Sequence, residues 1–220
     1  PIAHIDPEHS TDILGSEPYE LPTEPFGGAE QLDWSPDGKL IAYSCRKRTG
    51  KEYAFSTNCG IYIYDTGNGT TIPVKTDGGY DTDPVWNEDG TRLAWISMER
   101  DGYEADKTRL MTADFAEGKI SNIRDLTADF KYNAAGPVWT ADSKSIYFNA
   151  LAEGLQGIFR VNADGSITRI TKENAWYDYD SPFAIVQNGE ETQLLASWCS
   201  MDFPNELVKV AVADGKSEQI

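Results

Sequence analysis

The side chains suited to acid–base or nucleophilic work are few and poorly placed for it. His4 and His9 are the only histidines, and both lie among the first ten residues. A serine nucleophile needs an imidazole base oriented by a carboxylate, so no Ser–His–acid relay is expected in the rest of the chain. The Gly-x-Ser-x-Gly elbow that exposes such a serine is absent. So are Gly-x-Gly-x-x-Gly and Gly-Lys-Ser/Thr, the loops that cradle phosphates, and neither a catalytic residue nor a cofactor is expected. Asp81 with Asp83, and Asp178 with Asp180, set carboxylates two apart where Ca²⁺ takes its oxygens. The alternating ligands that complete a Ca²⁺ loop are missing, so ordinary turn residues and no metal are expected. Cys45 and Cys59 flank a hairpin connection, a spacing compatible with a disulfide in an oxidising compartment. With Cys199 the count is odd, and free, half-buried thiols are the default. Asn68-Gly69-Thr70 matches a glycan acceptor but reads better as a hairpin turn.

What must position any site is a repeat. Trp34-Ser35-Pro36-Asp37-Gly38-Lys39-Leu40-Ile41-Ala42-Tyr43 is echoed by Trp86-Asn87-Glu88-Asp89-Gly90-Thr91-Arg92-Leu93-Ala94-Trp95. A third copy, Trp139-Thr140-Ala141-Asp142-Ser143-Lys144-Ser145-Ile146-Tyr147-Phe148, follows, and the tryptophans stand 52 and 53 residues apart. Such a period marks an array whose units lean on their neighbours. In the first unit Gln31–Trp34 is a short strand and Ser35-Pro36-Asp37-Gly38 is turn chemistry. Leu40 to Cys45 alternates as a strand buried on both faces, and Ile61–Tyr64 is β-branched and aromatic. Asn68-Gly69 then closes a hairpin into Thr70–Val74. The second unit predicts strands at Pro84–Trp86, Arg92–Met98, Arg109–Asp114 and Ser121–Thr127. The third predicts Pro137–Trp139, Ser145–Asn149, Gly157–Asn162 and Ser166–Thr171. A weaker fourth begins at Pro182, turns at Asn188-Gly189-Glu190 and runs through Gln193–Trp198 and Glu206–Val212.

Four antiparallel strands per unit of about fifty residues make a propeller blade. The expected fold is all-β: a β-propeller segment of about four four-stranded blades, part of a larger ring. Residues 1–29 read as the tail of a preceding blade (Pro1–Ile5) plus a Pro-rich connector, followed by blades at 30–78, 79–130, 131–180 and 181–220. The start, without Met, basic region or apolar signal core, reads as that of a processed or excised piece. Net charge is −17 with 19 Lys and Arg, which argues against binding a phosphate backbone and excludes nucleic acid as the expected partner. No apolar run is long enough for a membrane span. An open arc of blades exposes edges, through which self-association is expected.

Connections between second and third strands should share one face of a propeller with the connections between blades. In this chain those segments are long and decorated. They carry Arg46, Arg48 and Tyr53, then Glu99, Asp101, Tyr103 and Glu104, with Tyr80, Tyr132, Trp176 and Tyr177 between blades. The opposite face has only tight turns, so the first rim is the expected docking surface.

Trp34–Tyr43 resembles the repeat shared by TolB-like, WD-like propellers and the prolyl oligopeptidase family of serine peptidases. Ala42–Asn58 (Ala-Tyr-Ser-Cys-Arg-Lys-Arg-Thr-Gly-Lys-Glu-Tyr-Ala-Phe-Ser-Thr-Asn) and Trp95–Lys107 (Trp-Ile-Ser-Met-Glu-Arg-Asp-Gly-Tyr-Glu-Ala-Asp-Lys) resemble the bacterial dipeptidyl peptidase/acylaminoacyl peptidase branch. The resemblance spans most of residues 17–220. It implies a non-catalytic propeller that gates peptides for an α/β-hydrolase domain of the parent polypeptide, and a periplasmic or secreted setting. It further implies carboxylates that hold the substrate's free amine, for which Glu99, Asp101 and Glu104 beside Tyr103 are the candidates. The rival expectation is a TolB-like scaffold that binds a protein partner through the same rim.

Overall fold

The computed structural model describes residues 10–220 apart from 16, 26, 77, 173–175 and 189–190. His4, His9, the Pro1–Ile5 strand and the Gly189-Glu190 turn lie outside the described residues. Four antiparallel sheets follow one another along the chain. The first comprises β1 (Leu32–Trp34), β2 (Leu40–Cys45), β3 (Gly60–Asp65) and β4 (Thr70–Lys75), with a one-turn helix α1 (Lys51–Phe55) between β2 and β3. The second comprises β5 (Tyr80–Trp86), β6 (Arg92–Met98), β7 (Arg109–Ala116) and β8 (Lys119–Asp125). The third comprises β9 (Ala135–Trp139), β10 (Ser145–Ala152), β11 (Leu155–Asn162) and β12 (Ile167–Arg169). The fourth comprises β13 (Asp178–Tyr179), β14 (Ala184–Asn188), β15 (Glu191–Cys199), β16 (Glu206–Ala211) and β17 (Ser217–Gln219). The structure is thus all-β apart from α1 and a short 3-10 turn at Ala29–Gln31, and its sheets are those of a partial β-propeller.

The recurrent phrase works through its aspartate. Asp37 Oδ1 accepts from Ser35 Oγ (2.7 Å) and Lys39 N (3.1 Å), while Ser35 Oγ accepts from Leu40 N (2.9 Å). Asn87 and Asp89 do the same for Arg92 N and Thr91 N (both 2.9 Å), as do Thr140 and Asp142 for Ser145 N (3.0 Å) and Lys144 N (3.1 Å). Each turn needs one left-handed residue, supplied by Gly38 and Gly90 at φ 70° but by Ser143 at φ 57° in the third copy. In the last three sheets the inner strand is irregular at a proline, which cannot donate to a ladder. The β5 register shifts around Pro84 and the β9 register around Pro137. At Pro182 the interruption is complete, and β13 and β14 pair separately with opposite ends of β15. Strand pairing therefore draws Asp178 and Tyr179 into the fourth sheet, ahead of the division expected at 180/181.

Burial lies between sheets. Ala42, Ile61, Ile63 and Val74 of the first sheet pack on Trp86, Leu93 and Trp95 of the second. Ile96 and Leu110 meet Trp139, Phe148 and Phe159 across the next gap, and Tyr147 and Ile158 meet Leu194, Val208 and Val210 across the last. Polar stitches fix the stacking. Asp33 Oδ2 accepts from Trp86 N (2.7 Å), Val85 O from Trp139 Nε1 (3.1 Å), and Asp178 Oδ1 from Gln156 N (2.7 Å). Gly136 leaves room for the Ser181 side chain, whose Oγ a Cβ there would meet at 2.0 Å.

Cys45, Cys59 and Cys199 are free thiols. Cys45 lies opposite Gly60 in the ladder, so alternation puts Cys59 with Ile61 and Ile63, facing the second sheet. Cys45 faces the other way and donates to Glu20 O (3.7 Å). Burial pushes the Cys45 thiol up to about 11 and the Cys59 thiol higher still.

Candidate functional site

The long connections meet at one end of the sheets. Arg46 to Asn58 links β2 to β3, and Glu99 to Thr108 links β6 to β7. The two are joined where Asp101 accepts from Ser56 Oγ and Thr57 N (both 2.7 Å) and from Asn58 N (3.0 Å). Asn58 Nδ2 in turn donates to Gly78 O (2.6 Å) and Gly79 O (3.1 Å), in the link between the first two sheets. At the third sheet, Lys131 Nζ and the Tyr132 hydroxyl both donate to Glu153 in the β10–β11 hairpin.

Against these connections lies the extended segment 17–25. Tyr53 Oη donates to Glu20 Oε2 and Glu24 O (both 3.1 Å), and Thr23 is bonded to Gln31. A cavity of about 350 Å³ opens between this segment and the two connections, lined by Thr23, Glu24, Pro25, Arg46, Thr57, Tyr80, Met98 and Glu104. Two glutamates, one arginine and one tyrosine thus line a partly apolar hollow. The Arg46 guanidinium lies 4.4 Å from the Tyr53 ring centre, and its buried Nε has no hydrogen-bond partner among the described residues. Burial pushes the Tyr80 phenol above its usual range. Such a hollow fits a ligand that carries an ammonium beside a carbonyl.

The expected site residues divide. Glu104, Arg46 and Tyr80 line the cavity, while Arg48 and Tyr53 line a neighbouring hollow with Pro18, Tyr19 and Glu20. Asp101 is occupied by the other connection, Glu99 pairs with Arg109 (3.6 Å), and Tyr103 lies under the Arg100 guanidinium (4.0 Å). Tyr132 is bound to Glu153, Tyr177 stacks on Trp198 at 4.0 Å, and Trp176 is 86% exposed. Glu24 was not singled out by sequence, because nothing in a Pro-rich connector signals that it folds back on the rim. Among the described residues no group of three or more His, Cys, Asp or Glu is arranged to hold a metal.

Four sheets stacked in chain order, with their long connections at one end, define a partial β-propeller. The chain is 40% identical over 211 residues to dipeptidyl-peptidase 5 of Porphyromonas gingivalis, covering 95% of this chain and 29% of the relative. Among solved structures, a TolB protein from Agrobacterium tumefaciens superposes with a TM-score of 0.62 at 22% identity, covering 86% of this chain and 63% of that one. Prolyl oligopeptidase B from Galerina marginata gives a TM-score of 0.62 at 13% identity, covering 88% of this chain and 27% of that one. Both are likenesses of fold. No family model matches the chain. The chain is a partial β-propeller similar in sequence to part of dipeptidyl-peptidase 5, and it spans under a third of the length of that relative.

Proposed function

We propose that this chain is the substrate-recognition portion of a dipeptidyl-peptidase-type serine exopeptidase, and that its cavity receives the amino end of a peptide. The observation that carries the reading is the concentration of Glu24, Arg46, Tyr80 and Glu104 around one hollow at the long-connection end. Glu104 and Glu24 hold the ammonium, and Arg46 and Tyr80 offer donors to the first carbonyl.

The same end presents exposed apolar side chains: Phe55, Tyr103 and Phe203 from the β2–β3, β6–β7 and β15–β16 connections, and Leu151 near the end of β10. Apolar groups around a polar hollow suit a covering domain. In this reading the cover is an α/β-hydrolase domain of the parent polypeptide, which would supply nucleophile and base while this chain binds and orients. A periplasmic or secreted setting belongs to the same reading. Among the described residues no helix is long and apolar enough to cross a membrane. Self-association through the outer face of the fourth sheet, where Val186 and Leu207 are exposed, is also part of it. Light scattering of a strict monomer at high concentration would remove that last element.

Calorimetry with a free-amine dipeptide and its N-acetyl form tests the site. The free amine should bind more tightly, and Glu104→Gln should erase about tenfold of that preference, as expected for one charge-assisted contact. Equal affinity for the two forms, or binding of neither, overturns the reading.

A further inference from the structure

Asp101 stands two residues from Glu104's neighbour Tyr103, yet its carboxylate is turned away to the preceding sheet's connection. Oδ1 accepts from Thr57 N (2.7 Å), Asn58 N (3.0 Å) and Thr57 Oγ1 (3.4 Å), and Oδ2 from Ser56 Oγ (2.7 Å). Gly102 N returns the contact by donating to Thr57 Oγ1 (2.8 Å). A carboxylate has about four acceptor sites, and these donors use nearly all of them. Little capacity is left for a substrate ammonium.

The connection that Asp101 anchors is itself braced. Arg100 N and Nε donate to Asp106 Oδ2 (3.0 and 3.2 Å), and Arg100 Nη2 donates to Asp106 Oδ1 (2.9 Å). The guanidinium also caps the Tyr103 ring at 4.0 Å, and Asp106 N donates to Tyr103 O (3.1 Å). Residues 100–106 therefore form a closed loop with Glu104 inside it, and that loop touches the first sheet's connection through Asp101 and Gly102. Thr57, which makes two of the four Asp101 contacts, lines the same cavity as Glu104.

We infer that Asp101 is a positioning residue: it locks the loop bearing Glu104 to the connection bearing Thr57 and Arg46, and so fixes the distance across the cavity. The inference rests on the reading of that cavity as the peptide amino-end site. Ligand-gripping groups misplaced by about 1 Å can lose up to a hundredfold in effect, so a latch of this kind sets affinity without touching the ligand.

Two substitutions separate latch from ligand. Asp101→Asn keeps an Oδ1 acceptor for the Thr57 and Asn58 amides but removes the charge; Asp101→Ala removes both. In calorimetry with the dipeptide and its N-acetyl form, Asp101→Ala should weaken free-amine binding about tenfold, with Asp101→Asn within about threefold of wild type. Amide exchange at Thr57 and Asn58 should accelerate in Asp101→Ala and stay slow in Asp101→Asn. Should Asp101→Ala fail to fold, the double variant Ser56→Ala/Thr57→Val trims the latch from the other side and should give an intermediate loss. Equal damage from Asn and Ala would show that the charge itself is used, and overturn the inference. So would unchanged affinity and unchanged exchange in Asp101→Ala. If the wild-type chain shows no preference for the free amine, the amino-end reading fails; the amide exchange still decides whether Asp101 holds the two connections together.

Discussion

At one end of the sheets the chain reverses through short turns closed by Asp37, Asp89 and Asp142; at the other it wanders from Arg46 to Asn58 and from Glu99 to Thr108 before returning. The turns are copies of one another, down to which oxygen accepts from which amide. The long connections share no sequence, and besides the Arg100–Asp106 brace inside one of them their bonds run from one connection to another: Asp101 to Thr57, Asn58 to Gly78, Lys131 to Glu153. Repetition at one end reflects a demand common to all blades, reversal into a buried strand. Divergence at the other end is what the proposed recognition role would require, because each blade would then meet a different part of the ligand or cover.

Perturbing each end should therefore have opposite signatures. Asn87 is fully buried in the second tight turn and accepts from Arg92 N. Asn87→Ala leaves that amide unpaired and should cost about 2 kcal/mol of stability by urea unfolding, with dipeptide affinity unchanged. A loss of affinity equal to that of Glu104→Gln would break the division. The buried Asp81, near the long connections, should respond with the opposite sign. Its carboxyl is pushed up by burial, so its contribution is most favourable at acid pH and is lost as pH rises through the folded value. Asp81→Asn retains an acceptor for Trp95 Nε1 (2.9 Å in wild type) and should raise the melting temperature at pH 7, the gain vanishing toward pH 4. At the third tight turn, Ser143→Gly relieves a left-handed serine and should add about 0.5–1 kcal/mol. The smallest effect belongs to the rim. Phe55 is 83% exposed, and Phe55→Ser should alter stability by less than about 0.5 kcal/mol.

The tight-turn end was legible in the sequence because its signals are local: Asp, Gly and the following strand sit within a few residues. The same holds for the central strands β2, β6 and β10, whose apolar runs report burial on both faces. The helix α1 was not legible, since Lys51–Phe55 is a single turn with no buried side chain to impose a helical period. Nor was the fourth sheet's divided inner strand, because Pro182 hides it from any search for a continuous run. The cavity's lining was legible only in part, with Glu104 expected as an amine ligand and Arg46 and Tyr80 expected only on the rim. Charge and aromatic content marked Arg46, Tyr80 and Glu104, but only tertiary contacts show that Asp101 is consumed by Thr57 and Asn58 and that Glu24 closes the cavity. Cys45 and Cys59 make the same point, since their spacing allows a bridge and strand alternation forbids it.

The difference between the two ends is tested most directly by mapping amide chemical shifts while a free-amine dipeptide is titrated into the chain. Perturbations confined to Thr23, Glu24, Arg46, Thr57, Tyr80, Met98 and Glu104 are the expected result. Shifts gathered instead at Ser35–Gly38, Asn87–Gly90 and Thr140–Ser143, or scattered evenly over the sheets, would contradict the account.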